Sequence, residues 1–241
     1  MGQNESQEIL QQEKNKADTM CETFSHGVGY AAQRLKEYLG FEDPQSKLYP
    51  STDTLNEIFL VNFIGYCLEK GVEGHICTSK MNKQQSLLLG VDWLWTLFGP
   101  NRNIRLQLAV QTRSVAELLN SEEGKTDEHL GININEIKQA DALYKDKERF
   151  DKLRGFCSLV GSDCVGLFIV YGMPGKPRDI RGFLMDSIIQ QLNGYPSNGE
   201  SALRNFILNT DTFLSTQEVL EICLFNKDSF KNIGKMFINF L

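Results

Sequence analysis

The sequence predicts an α+β fold that is predominantly α-helical, with seven or eight helices around a small sheet of two or three strands. Two observations lead to this prediction: apolar residues recur at helical spacing along most of the chain, and only two segments change to the pattern of a strand. The 241 residues are 41% hydrophobic and 23% charged, which is typical of a globular protein with a packed core. One globular domain is expected over residues 19–241, because a chain of this length can bury one sizeable core.

The chain is predicted to open with a polar tail and two helices. Residues 1–18 are rich in Gln, Glu and Lys and contain little to bury, which predicts a flexible N-terminal tail. Apolar residues then recur at helical spacing up to Gly40. A second helix is predicted where Thr54 and Glu57 fit a capping box, followed by an almost wholly apolar stretch up to Leu68. Because this helix is apolar nearly all round, we expect it at the centre of the fold.

In the middle of the chain, the spacing of apolar residues changes from that of a helix to that of a strand at two places. Residues 82–98 are predicted to form a helix that ends at a Gly-Pro pair. Over 104–111, large aliphatic residues alternate with Arg, Gln and Ala, which predicts a strand with one buried face. The short apolar run 164–171 predicts a second strand. Between the two strands, residues 121–148 are charged and weakly periodic, which predicts a mobile surface insertion.

The remaining segments are predicted to be helical. Apolar spacing predicts a helix over 149–160 and another over 178–192. Two further capping boxes, at 197–200 and at 215–218, each predict the start of a short helix. A last helix is predicted over 228–241.

Composition and charge exclude several classes of function. The formal net charge is −6 and the basic residues are scattered, so the chain has no basic surface for a phosphate backbone and nucleic acid is not expected as a partner. The longest apolar runs are far shorter than the ~20 residues that span a bilayer. The six cysteines form no C-x-x-C pair and lie mostly in apolar segments, which indicates reduced, structural thiols in a cytosolic protein.

The sequence offers few candidates for catalysis. The three histidines lie far apart and outside the helical i, i+4 spacing of a metal site, so we predict no metal site, no cofactor and no catalytic residue. One catalytic alternative stays open: a cysteine hydrolase that uses Cys77 or Cys157 with a distant histidine, since such a site leaves little trace in a sequence.

The first six residues carry one motif with a defined chemistry. Met1 to Ser6 fit the pattern M-G-x-x-x-[ST], which predicts that Gly2 is a site of lipidation by myristate. An unmodified terminus is the alternative interpretation. A single myristoyl chain gives only reversible membrane binding, so stable anchoring would need a second contact, such as a membrane-bound partner.

Two of the predicted helices carry more apolar residues than one face can hold. Met236 and Phe240 lie off the main apolar face of the last predicted helix, and Met185 and Ile189 lie off that of the helix over 178–192. Such extra width indicates either deep burial or a surface that binds a partner. These four residues are our sequence-based candidates for partner binding.

Six segments are distinctive enough to compare with known families. The longest is GLFIVYGMPGKPRDIRG at 166–182, and the others are 35–48, 54–60, 92–96, 104–112 and 149–153. Together they resemble the endocytic recycling Rab effector family, the effectors of the Rab-fifteen small GTPase. The resemblance implies a non-catalytic protein that binds GTP-loaded Rab proteins and regulates the recycling of receptors such as the transferrin receptor. It implies peripheral association with perinuclear recycling endosomes through the Rab. Myristate on Gly2, which the motif at the terminus predicts, would add a second membrane contact. A scaffold that binds a protein other than a Rab remains the alternative.

Overall fold

The computed structural model describes residues 2–45, 47–120, 148–192, 199–225 and 233–240. Their helices are α1 (Gly2–Leu35), α2 (Thr52–Glu69), α3 (Lys83–Leu89), α4 (Val115–Asn120), α5 (Arg149–Val160), α6 (Met185–Leu192), α7 (Gly199–Leu208) and α8 (Thr216–Phe225). Their strands are β1 (Ile76–Lys80), β2 (Trp93–Phe98), β3 (Ile104–Ser114), β4 (Cys164–Met173), β5 (Lys176–Leu184), β6 (Phe213–Ser215) and β7 (Phe237–Asn239).

The strands form one mixed, seven-stranded sheet in the order β1-β2-β3-β4-β5-β7-β6. Neighbouring strands run antiparallel except for two parallel pairs, β3 with β4 and β6 with β7. Parallel strands need a long crossover connection. The chain between β3 and β4 includes α4 and α5, and α8 lies between β6 and β7.

Helices cover both faces of the sheet and enclose two hydrophobic clusters. The first cluster joins the sheet to α1, α2 and α8, and the second joins it to α4, α5, α6 and α7. Successive residues of β4 alternate between the two clusters: Leu167 and Ile169 belong to the first, and Phe168 and Val170 to the second. The described residues therefore form a three-layer α/β structure, with a mixed sheet whose central strands are buried on both sides.

The prediction of a predominantly helical fold with a small sheet of two or three strands is wrong. In the described part of the chain the sheet has seven strands, and one of them is Trp93–Phe98, inside the segment predicted as a helix over 82–98. Of that predicted helix only Lys83–Leu89 is helical. A strand buried on both faces shows no alternation of apolar and polar residues, so its sequence pattern resembles that of a buried helix.

Two other predicted helices are also corrected. The segment 178–192 contains strand β5 up to Leu184 and becomes helical only from Met185. In 228–241, the described part contains the short strand Phe237–Asn239. Both strands lie in the interior of the sheet order, where backbone pairing outweighs the helical spacing of their apolar residues.

Other predictions are confirmed or lie outside the description. Strands β3 and β4 and helices α2 and α5 occur where the sequence predicted them. Helix α2 is capped by Ser51, whose hydroxyl accepts from the amide of Thr54, so the predicted cap lies three residues too late.

The backbone is helical from Gly2, and the mobility of residues 1–18 stays a prediction. Residues 121–147 of the predicted insertion lie outside the described residues.

Candidate protein-binding surface

Helix α2 is apolar both on the side that packs on the sheet and on the side that faces solvent. On the inner side Phe59 and Phe63 are fully buried, and the ring of Phe63 lies 5.0 Å from that of Trp95. On the outer side Val61 is 70% exposed and Leu68 is 58% exposed. We call the exposed stripe formed by Val61, Ile64, Gly65 and Leu68 the outer face of α2.

Gly65 lies in the middle of the outer face of α2. Apart from the neighbouring backbone of its own helix, a Cβ atom at this position would meet no atom within 4 Å, so the packing of this chain does not require a glycine here. Glycine in the interior of a helix costs roughly 0.5–1 kcal/mol relative to alanine. What the glycine provides is a flat spot, where the backbone of a second molecule can come close to the helix.

Two tyrosines border the outer face of α2 on the side of α1. The rings of Tyr30 and Tyr66 lie 5.6 Å apart, and we call them the tyrosine pair. Each ring makes a cation–π contact. Cζ of Arg34 lies 5.4 Å from the ring centre of Tyr30, and Nζ of Lys70 lies 5.4 Å from that of Tyr66. Tyrosine and arginine are enriched among the residues that contribute most to binding at protein interfaces.

On its other side, α2 is separated from β1 by a groove. This α2–β1 groove has a volume of about 200 Å³ and is lined by Ile64, Cys67, Leu68, Glu73, Ile76, Cys77 and Thr78. Burial, with a smaller effect from the carboxylate of Glu73, raises the pKa of Cys67 to about 11. Near the start of α2, a hydrogen bond from Lys80 of β1 to Glu57 lowers the pKa of that carboxyl group. Because four of its seven lining residues are Ile64, Cys67, Leu68 and Ile76, the groove beside the edge of the sheet is mainly apolar.

A chain of buried polar groups holds α2 in place from behind. The hydroxyl of Tyr171 donates to Oδ1 of Asn56 at 2.9 Å, and Nδ2 of Asn56 donates to the hydroxyl of Thr112 at 2.9 Å. Thr112 donates in turn to Asp92 at 2.8 Å, and Arg149 of α5 forms an ion pair with Asp92 at 2.8 Å. Burial, and then the charge of Asp92, raise the pKa of Tyr171 well above its usual value, so its hydroxyl remains a donor.

The four residues predicted to bind a partner do not form one surface. Met185 and Phe240 are both only 4% exposed, and they belong to the clusters on opposite faces of the sheet. Each packs over a strand glycine: a Cβ at Gly166 would lie 2.9 Å from Met185, and one at Gly182 would lie 2.9 Å from Phe240. In the structure, Met185 and Phe240 therefore contribute to the packing of the core.

Met236 and Ile189 are half-buried against the same two clusters. A role for any of the four in partner binding stays a prediction. Gly2 is the first residue of α1, and its lipidation is likewise untested.

The cysteines of the catalytic alternative lie in different surroundings. Cys157 is buried in the second cluster, and its hydrogen bond to Cys164, together with burial, raises the pKa of Cys157. A thiol that stays protonated is a poor nucleophile. Cys77 is exposed, and its sulfur lies 4.0 Å from the hydroxyl of Ser79. Within the ranges that the structure describes, no His, Cys, Asp and Glu side chains are grouped as for a metal ion. The absence of catalysis remains a prediction.

The sequence did not predict the outer face of α2 as a binding surface, although the apolar residues that form it are evident in the sequence. The sequence of this helix is apolar on all sides, a pattern that is also typical of a helix buried at the centre of a fold. A helix in an outer layer with apolar residues on both sides leaves one side uncovered. The tyrosine pair could not be found in this way, because Tyr30 and Tyr66 are brought together only by the packing of α1 on α2.

Two comparisons relate this chain to known proteins. The model of the Rab15 effector family matches residues 5–240. A mouse protein named Rab15 effector protein is 41% identical over 244 residues, and the match covers the whole of both chains. No helix among the described residues is long and apolar enough to cross a membrane. From the family match and the identity over its full length, the chain belongs to the Rab15 effector family.

Proposed function

We propose that this chain is a non-catalytic effector that binds a Rab GTPase in its GTP-loaded form. The observation that carries the proposal is the outer face of α2, where Val61, Ile64 and Leu68 are exposed around Gly65. Membership of the Rab15 effector family, and the name of the mouse relative, support Rab15 as the first partner to test.

The chemistry of this surface suits a small GTPase. The switch segments of such a GTPase are ordered by the γ-phosphate and released after hydrolysis, so a protein that contacts them binds the GTP form more tightly. Protein interfaces combine an apolar centre with a polar rim. Here the outer face of α2 supplies the centre, while Arg34 and Lys70 on the tyrosine pair supply part of the rim.

A stable interface also needs sufficient area. Specific protein complexes bury about 1,200–2,000 Å² in total, which is more than one helical stripe provides. The outer face of α2 continues into the tyrosine pair on one side and into the α2–β1 groove on the other. Together these three features form one surface across the α1 and α2 layer.

In the cell, we propose that the protein acts on membranes that carry its Rab partner, at recycling endosomes, and promotes receptor recycling. A myristoyl group on Gly2 would add a second, weak membrane contact to the contact made through the Rab. Two such signals are what stable peripheral anchoring requires.

Calorimetry with purified Rab15 tests the proposal. Rab15 loaded with a non-hydrolysable GTP analogue should bind at least about tenfold more tightly than GDP-loaded Rab15, a difference of about 1.4 kcal/mol. Equal affinity for the two forms would contradict an effector role. Absence of binding to every Rab in a panel would favour a scaffold that uses the same surface for another protein.

A further inference from the structure

Strand β1 lies at one edge of the sheet, and no strand among the described residues pairs with its outer side. On its inner side it pairs with β2, and both His75 and Met81, which flank β1, form backbone hydrogen bonds to the segment that carries β2. Hydrogen-bonded and non-hydrogen-bonded pairs alternate along an antiparallel ladder. Counting from His75 and Met81, the backbone groups of Thr78 and Lys80 point away from β2 to the open edge.

This edge lacks most of the features that usually protect a strand from pairing. Natural proteins cover exposed edges with charged residues, prolines or bulges, or keep the edge strand very short. The opposite edge of the sheet, β6, has three residues. Strand β1 has five, and its central residues Cys77, Thr78 and Ser79 are uncharged. Its lysine, Lys80, is already paired with Glu57.

The α2–β1 groove lies beside this open edge. Side chains alternate along a strand, so every second residue of an added strand would turn toward the groove. The groove offers that residue the apolar walls formed by Ile64, Leu68 and Ile76. Backbone groups at the edge and an apolar site beside it are the two components of recognition by strand addition.

We propose that β1 pairs with an extended segment of the Rab partner, which adds a strand to the sheet at Thr78 and Lys80 and places an apolar side chain in the α2–β1 groove. The identity of the occupant rests on the proposed function. The position supports it, because Ile64 and Leu68 belong both to the outer face of α2 and to the groove. A Rab seated on that face would therefore lie directly against the edge of β1.

The substitution Thr78→Pro tests the proposal. Proline removes the amide hydrogen that points to the open edge and leaves the hydrogen bonds between β1 and β2 in place, which is why edge strands tolerate it. The matched control is Thr78→Val, which keeps this hydrogen and suits a strand. Thr78→Pro should bind Rab15 loaded with a GTP analogue at least about tenfold more weakly than Thr78→Val does, because only the proline variant lacks the amide hydrogen that an added strand would accept. Equal affinity of the two variants would overturn strand addition at Thr78.

Hydrogen exchange on the unaltered protein gives a readout that does not depend on the stability of a variant. The amides of Thr78 and Lys80 should exchange more slowly in the complex than in the free protein, because an added strand would accept their hydrogens. Unchanged exchange at both amides in a complex that has formed would overturn strand addition and leave the proposed function intact. Failure of the unaltered protein to bind any Rab would overturn both.

A second copy of this chain is the competing occupant. If the β1 amides become protected as protein concentration rises in the absence of a Rab, the edge pairs with itself, and the proposal is refuted. We expect the unaltered protein to sediment as a monomer. We also expect the amides of β1 to be protected from exchange only when Rab15 is bound.

Discussion

The hydroxyl of Tyr171 donates a hydrogen bond to Asn56 at 2.9 Å, and this bond connects a central strand of the sheet with the helix that carries the candidate surface. The two residues are 115 positions apart in the sequence. Asn56 lies on the inner side of α2, while Val61 and Leu68 lie on its outer side. The position of the outer face of α2 is thus fixed by a specific polar contact as well as by apolar packing.

The first prediction concerns this contact. Tyr171→Phe should destabilise the protein by about 1–3 kcal/mol, because it leaves Oδ1 of Asn56 buried without its donor. Chemical denaturation measures this change. In a double-mutant cycle with Asn56→Ala, the combined cost should be smaller than the sum of the single costs. Strictly additive costs would contradict an energetic link between the two residues.

The second prediction concerns the apolar stripe. Leu68→Glu should weaken binding to GTP-loaded Rab15 at least about tenfold, because it places a charge in the centre of the proposed interface. Leu159→Glu is the matched control, since Leu159 is 79% exposed on α5, in the layer on the other face of the sheet. Both variants should unfold like the unaltered protein. Equal loss of binding in the two variants would argue against this surface.

The third prediction uses Gly65 to separate stability from binding. Gly65→Ala should stabilise the protein by about 0.4–1 kcal/mol, because an alanine loses less conformational entropy in a helix and its Cβ meets no neighbour. Gly65→Arg should also leave folding intact but block the approach of a partner. Thermal unfolding and calorimetry check the two effects. Normal Rab binding by Gly65→Arg would show that the partner docks elsewhere.

The fourth prediction concerns the two thiols of the groove. At about pH 8 an alkylating reagent should modify Cys77 quickly and Cys67 slowly, because Cys77 is exposed whereas burial raises the pKa of Cys67 to about 11. Bound Rab15 should slow the labelling of Cys77, which lines the groove. Mass spectrometry of digested protein measures both rates. An unchanged rate at Cys77 in the complex would leave the groove outside the interface.

The fifth prediction concerns lipidation. Protein made in cells able to myristoylate should carry the acyl group on Gly2, and Gly2→Ala should remove it and weaken recovery with membranes without unfolding the core. Intact mass and membrane fractionation measure these effects. An unmodified terminus in such cells would contradict the prediction, while Rab binding would be unaffected.

Features set by neighbours in the sequence could be predicted. Ser215 and Glu218 form the predicted capping box: the amide of Ser215 donates to Glu218 at 2.7 Å, and the amide of Glu218 donates to the hydroxyl of Ser215 at 3.2 Å. The alternation over 104–111 likewise identified β3. The capping box and the alternation could both be recognised because each depends only on the residues of its own segment.

Features set by distant partners could not be predicted. Trp93 and Trp95 lie in a strand because β1 and β3 pair on either side of it, and that pairing leaves no periodic pattern in a wholly apolar segment. The spacing over 228–241 predicts a helix with Phe240 off its main apolar face, but this segment pairs with β5 and the ring of Phe240 packs over Gly182. The candidate surface itself depends on which side of α2 remains uncovered, and this is settled only when all layers are assembled.

The position of β7 has a consequence for the order in which the molecule can be completed. Strand β7 lies between β5 and β6, although it follows both in the chain. During synthesis on the ribosome, the edge of β5 therefore stays open until residues 237–239 have emerged. An unpaired strand edge is a template for aggregation. Nascent or truncated chains that lack this segment should therefore need protection by chaperones, and an intact β7 completes the sheet.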